Sequence, residues 1–131
     1  MTDARIRLTV AAFLLIATLQ PGRAEQVLQV PEGADLQQAL DRARPGDTIL
    51  LRPGARYVGN FILPVKGGEQ FITIRTADVT GQPPVGTRAQ PAHASTFAKI
   101  QSPNRQPALR TAAGAHHWRV QWLGFLRTPA G

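Results

Sequence analysis

The fold is decided by residues 45–75, PGDTILLRPGARYVGNFILPVKGGEQFITIR. Thr48–Arg52 (TILLR) is a β-branched and aliphatic run closed by Pro53-Gly54. Tyr57-Val58 and Phe61–Leu63 are two more short apolar runs, split by Gly59-Asn60, and Lys66-Gly67-Gly68 is a turn. Phe71–Arg75 (FITIR) alternates, with Ile72 and Ile74 on one face and Phe71, Thr73 and Arg75 on the other. Short strands of this kind, punctuated by Gly and Pro, predict an all-β fold.

Upstream, Val27–Val30 is a strand ended by Pro31-Glu32-Gly33. Asp35 then has the form of a helix N-cap. Leu36, Ala39, Leu40 and Ala43 fall on one face of a short helix that Pro45-Gly46-Asp47 stops. Downstream, residues 76–96 read as a long surface loop. Phe97–Gln101, Ala108–Thr111 and Trp118–Phe125 read as further strands. Ile49 to Ile72, Ile74 to Ile100 and Ile100 to Val120 give a quasi-period in the twenties, which predicts a solenoid. A small sandwich would favour Asn-Gly or Asp-Gly hairpin turns, and neither dipeptide occurs.

The 131 residues suffice for one domain. Twelve Gly and eleven Pro make turns dense and long helices few. With no Cys, disulfides, thiolate metal sites and a cysteine nucleophile are excluded. The formal charge is +7. Residues 1–24 read as an export signal: Arg5 and Arg7, then the apolar Leu8–Leu19, then Pro21-Gly22 and the small Ala24. The apolar run is too short to span a bilayer, which takes roughly 20 residues. Residues 25–131 are then expected to be secreted or periplasmic, with no membrane partner after cleavage. A basic exported protein meets acidic polysaccharides, anionic lipids or extracellular DNA. No dense Lys/Arg cluster with interleaved aromatics speaks for nucleic acid.

Two stretches carry a resemblance. VPEGADLQQALDRARPGDTILLRPGARYVGNFILPVKGGEQFITIR (residues 30–75) resembles the start of right-handed parallel β-helix proteins of the pectate-lyase-like superfamily. IQSPNRQPALRTAAGAHHWRVQWLGF (residues 100–125) is similar to a following rung in bacterial right-handed β-helix repeat proteins. Polysaccharide lyases similar to chondroitinase B and alginate lyases begin comparably. The resemblance implies a right-handed parallel β-helix with a short N-terminal capping helix and a substrate world of acidic glycans. Such proteins run to several hundred residues, so the chain is expected to hold the cap and about three rungs of a truncated solenoid. Their calcium-binding acids and basic catalytic residue lie on later rungs. The resemblance therefore implies calcium only at full length, no cofactor here, and no catalytic residue to carry over.

His116-His117 suggests metal ligation or a proton shuttle, but neighbouring strand residues face opposite ways. No Asp or Glu follows Asp78 to complete a site, so one packed and one solvated His is the expectation. Asp35 and Asp47 are explained as cap and turn. The remaining acids form no pair of the kind a glycosidase needs. Trp118, Val120 and Trp122 alternate together and read as packing in the core or around the last rung, ahead of a sugar-stacking platform. Arg52, Arg75, Lys99 and Arg119 sit beside the inward Leu51, Ile74, Ile100 and Val120, so alternation faces them outward. Stacked in parallel they would form a basic column on one outer wall, either a solvated wall kept charged for solubility or one suited to bidentate contacts with carboxylate or sulfate.

The reading is therefore an exported segment of a carbohydrate-active protein that acts on or binds acidic polysaccharide, as a lyase or hydrolase at full length. The alternatives are a non-catalytic extracellular scaffold or glycan-binding module, and an inactive fragment. Oligomeric state stays open.

Overall fold

A computed structural model describes residues 24–78, 82–84 and 86–128. Apart from Ala24, the expected export signal lies outside the described residues. The strands are β1 (Val27–Val30), β2 (Thr48–Leu51), β3 (Arg56–Val58), β4 (Phe61–Leu63), β5 (Ile72–Thr76), β6 (Ala98–Gln101), β7 (Leu109–Thr111), β8 (Trp118–Gln121) and β9 (Leu123–Leu126). The helix α1 (Leu36–Arg42) follows β1, and a 3-10 helix (Pro91–Thr96) precedes β6. Among the described residues no helix is long and apolar enough to cross a membrane.

Every strand pairing found is parallel. The first sheet has the order β1-β2-β5-β8, the second β3-β6-β9, and the third β4-β7. From β2 the chain steps to the second sheet, then the third, and returns to the first at β5. It repeats that circuit through β6, β7 and β8 and enters it again at β9. Parallel neighbours cannot be joined by a tight hairpin, so each circuit must carry the chain around before it pairs.

The interior follows from strand alternation. Leu28, Ile49, Ile74 and Val120 occupy one row of the first sheet. Tyr57, Ile100 and Phe125 do the same in the second. Leu36 and Leu40 of α1 are buried in the same core. Each fully buried aliphatic side chain contributes about 1.5–3 kcal/mol. Burial thins at the last layer: Ile74 is 1 % exposed but Val120 41 %, and Ile100 is 1 % exposed but Phe125 57 %.

Polar groups tie the layers together. Asp47 is buried, and its carboxylate accepts from the backbone N–H of Gln26 (3.0 Å) and of Arg44 (2.9 Å). The Asp of the PGD turn thereby joins the start of β1 to the end of α1. The buried Tyr57 hydroxyl donates to the Val30 carbonyl and accepts from the Arg52 N–H (3.0 Å). Desolvation pushes its pKa above the ordinary 10.0, and the Arg52 backbone bond works against that rise. At the corner between β3 and β4, the Asn60 amide donates to Ser102 Oγ and to the Pro107 carbonyl, both at 3.0 Å. Thr76 Oγ1 accepts from the Ala98 N–H (2.9 Å) and donates to the Trp122 carbonyl.

Several elements match the sequence reading. β1 and β4 have the expected bounds, and Asp35 caps α1 by accepting from the Gln38 N–H (3.2 Å). Three expectations are corrected. Trp118–Phe125 is two strands in two sheets, because Trp122 adopts a left-handed backbone (φ 50°) and turns the chain. The long loop is shorter at its start, since Thr76 is a buried strand residue, and it ends in the 3-10 helix. The quasi-period stepped from Ile49 to Ile72, from Ile74 to Ile100 and from Ile100 to Val120. Ile74 instead pairs with Val120, 46 residues on, whereas Ile49 pairs with Ile74, 25 residues on. The excursion between β5 and β6 lengthens that circuit, and a fixed period cannot see it.

Candidate functional site

The outer face of the first sheet gathers the site at β5 and β8. Because Ile72 and Ile74 pair with Trp118 and Val120 on the inner face, Thr73, Arg75, Arg119 and Gln121 point outward. The corner after β8 adds Trp122, and the segment after β5 adds Asp78. Arg75, Asp78, Gly86, Thr87, Gln121 and Trp122 line an open cleft of about 510 Å³.

Arg75 is the centre of this cleft. Its Nη1 lies 2.8 Å from Asp78 Oδ1 and 3.2 Å from the Thr76 carbonyl, and its guanidinium carbon sits 5.6 Å from the Trp122 ring centroid. The left-handed Trp122 backbone is unusual for a bulky residue and costs about 1–3 kcal/mol. It places a half-buried indole at the cleft wall.

A second group lies toward the start of the same two strands. Arg119 stacks over Phe71, with its guanidinium carbon 4.5 Å from the ring centroid. The His117 ring meets Phe71 edge-on at 5.2 Å. His117 has φ 60°, and its carbonyl accepts the Ile72 N–H (2.9 Å), which fixes the entry to β8. The Nδ1 atoms of His116 and His117 face each other. His117 is half-buried and His116 exposed, as expected, but their rings meet with centroids 4.6 Å apart. The expectation that they face opposite ways is corrected: the left-handed His117 backbone breaks the strand alternation.

The expected single basic column is corrected by the topology. Arg75 and Arg119 share the outer face of the first sheet, but they are out of register: Arg75 pairs with Gln121, and Arg119 with Thr73. Arg52 lies just past the end of β2, beside the Pro53-Gly54 turn. Lys99 is on β6 in the second sheet, between Arg56 and Gly124, and its Nζ donates to the carbonyls of Ala94 and Phe97. The reason is the corner: Ile100 belongs to the second sheet, so Lys99 faces another wall.

Trp118 and Trp122 also part company. The Trp118 indole N–H donates to the Pro64 carbonyl (3.0 Å), a packing role. Trp122 sits at the corner beside Arg75, a role strand alternation could not show. The signal was Arg75 itself, whose cleft partners come from 3 and 47 residues further along the chain.

Chemically, the face offers cations beside aromatic rings and amide donors. Asp78 is the carboxylate lining the cleft, and it is bound to Arg75. Among the described residues no group of three or more His, Cys, Asp or Glu could hold a metal ion.

The fold is similar to that of an alginate lyase. That enzyme, from Paenibacillus sp. str. FPU-7, matches with a TM-score of 0.55 and 21 % sequence identity. The match covers 78 % of this chain and 32 % of the lyase, so the chain spans about a third of that enzyme's length. At this identity the likeness is one of fold. No family model matches the chain, and no curated protein matches its sequence.

Proposed function

We propose that the chain is part of an exported right-handed parallel β-helix protein that binds acidic polysaccharide on the outer face of its first sheet. The single observation that carries the reading is Arg75, held between Asp78 and the Trp122 ring at the wall of an open cleft. A uronate offers two matching features: a carboxylate for the guanidinium N–H groups that Asp78 does not engage, or in exchange for Asp78, and a sugar face for the indole. Fold likeness to an alginate lyase and the excess of basic residues support the same substrate class. The repeated circuit through three parallel sheets supports a β-helix. The basic start and short apolar run at Leu8–Leu19 support export.

For the described residues, binding is favoured over turnover. The carboxylate at the cleft is occupied by Arg75, and among the described residues no second acid lines it. A lyase or hydrolase reaction belongs to this reading only with groups other than these.

Retention on immobilised polygalacturonate or alginate tests the proposal. Retention that falls with salt supports it, and passage without delay at low salt overturns it. Ultraviolet absorbance of unsaturated sugar product separates turnover from binding. Product formation by these residues alone would overturn the preference for binding. Recovery of the chain with residues 1–24 still attached, from cytosol only, would overturn the export part.

A further inference from the structure

At the helix end of the molecule a separate cleft of about 690 Å³ opens between the start of β1, the end of α1 and the β4–β5 connection. Three cationic side chains reach its wall from three segments: Arg42 in the last turn of α1, Arg44 in the following turn, and Lys66 after β4. Their convergence has a local cause. Ala43 is extended (φ −61°, ψ 143°) and its methyl is buried, so the flanking Arg42 and Arg44 both face away from the core. At about 3.3 Å per extended residue, their attachment points stand about 6.6 Å apart. Lys66 is half-buried, and its Nζ donates to the Asp41 carbonyl at 2.5 Å, which sets its ammonium at the rim.

Among the described residues lining the cleft, three cations stand against one carboxylate, that of Asp41. The Asp41 carboxylate on the same wall accepts from the Gln37 amide (3.0 Å). Among the described residues the ion pair found is Arg75–Asp78, at the other cleft. Three full positive charges outweigh the Asp41 carboxylate and the partial negative charge at the end of so short a helix. A concave site with an excess of one sign concentrates counter-ions.

The shape points to a chain rather than a free ion. The cleft shares Leu28 and Arg42 with a groove of about 240 Å³ that runs on along β1 and α1. The larger cleft is walled mainly by charged and amide groups, and the apolar side chains Val27, Leu28 and Ala39 lie along the adjoining groove, where the faces of sugar rings can rest.

We infer that this cleft is a second binding site, for an anionic sugar chain, whose sulfate or carboxylate groups are taken by Arg42, Arg44 and Lys66. It stands apart from the first-sheet face and does not depend on it. The test is titration of the protein with a heparin oligosaccharide, an oligogalacturonate and poly-glutamate, for the wild type, Arg42→Gln/Arg44→Gln and Arg75→Gln. Both Arg42 and Arg44 are exposed, so melting temperature and circular dichroism should match the wild type. The double variant should weaken binding of at least one sugar on the order of tenfold at low salt. It should also reduce the slope of log affinity against log salt by about 2, one unit per charge removed. A response with heparin assigns sulfate, and one with oligogalacturonate assigns carboxylate. Unchanged affinity and slope for both sugars overturns the inference, as does an Arg42/Arg44-dependent preference for poly-glutamate. Loss in Arg75→Gln alone leaves the first-sheet reading standing and this one not. Loss in the double variant alone gives the converse.

Discussion

The side-chain amide of Gln37 makes both hydrogen bonds of a neighbouring strand with the backbone of Ile62. Its Oε1 accepts the Ile62 N–H at 2.8 Å, and its Nε2 donates to the Ile62 carbonyl at 2.9 Å. An edge strand otherwise presents unpaired backbone groups that invite association. Here one residue of α1 satisfies the outer edge of β4, and Leu36 and Leu40 of the same helix enter the core. Replacing Gln37 with Ala leaves a part-buried donor and acceptor unmet. The variant should lose about 1–3 kcal/mol in urea unfolding. Gln38→Ala, on the exposed side, should stay within about 0.5 kcal/mol of the wild type. Equal effects of the two would show that the amide clamp contributes nothing.

Asp47 has a comparable role at the other side of the helix. Its buried carboxylate accepts the N–H groups of Gln26 and Arg44. Asp47→Ala should cost about 3 kcal/mol, since bonds to a charged acceptor are worth more than neutral ones. A loss under about 0.5 kcal/mol, read by chemical denaturation, would contradict this account of the PGD turn.

The alkaline limb of stability reports on Tyr57. Burial raises its folded pKa above the unfolded value of 10.0. Folding then favours the protonated phenol. Its contribution is complete below pH 10 and is lost as pH rises through the folded value. Tyr57→Phe should lower stability near neutral pH by about 1 kcal/mol, because the Val30 carbonyl loses its donor. The variant should also lose less than the wild type between about pH 9 and 11. Parallel losses in the two proteins would place the titrating group elsewhere.

Val120 and Phe125 give a prediction about surface. Both belong to inward rows yet stand 41 % and 57 % exposed. Exposed apolar groups at a strand edge bind hydrophobic dyes and favour association. Phe125→Ser should lower dye fluorescence relative to the wild type, with little change in melting temperature. Undiminished fluorescence would mean this face is covered in solution.

Much of the architecture was legible in residues 27–75. The alternation of Ile72 and Ile74, the Asp35 cap and the PGD stop each act through near neighbours in sequence, so pattern alone finds them. Legibility failed at corners. Trp122 looks like a third member of the row begun by Trp118 and Val120, until its left-handed backbone breaks the strand. Lys99 looks like a partner of Arg75, until the connection between β5 and β6 carries β6 into the second sheet. The site suffered most, because the Arg75–Trp122 contact joins two circuits separated by 46 residues of pairing offset. No local pattern encodes that distance.

The central claim is that Arg75 on the outer face of the first sheet takes the carboxylate of an acidic sugar chain. Titration calorimetry with an oligogalacturonate or oligoalginate, at low and high salt, tests it most directly. The variants are Arg75→Gln and Arg110→Gln, the latter on β7 in the third sheet and exposed. The account predicts that Arg75→Gln weakens binding about tenfold at low salt, since a charge-assisted contact is worth about 1.5–3 kcal/mol. Arg110→Gln should stay within about twofold of the wild type. Equal weakening by both variants, or no change in Arg75→Gln, would contradict it.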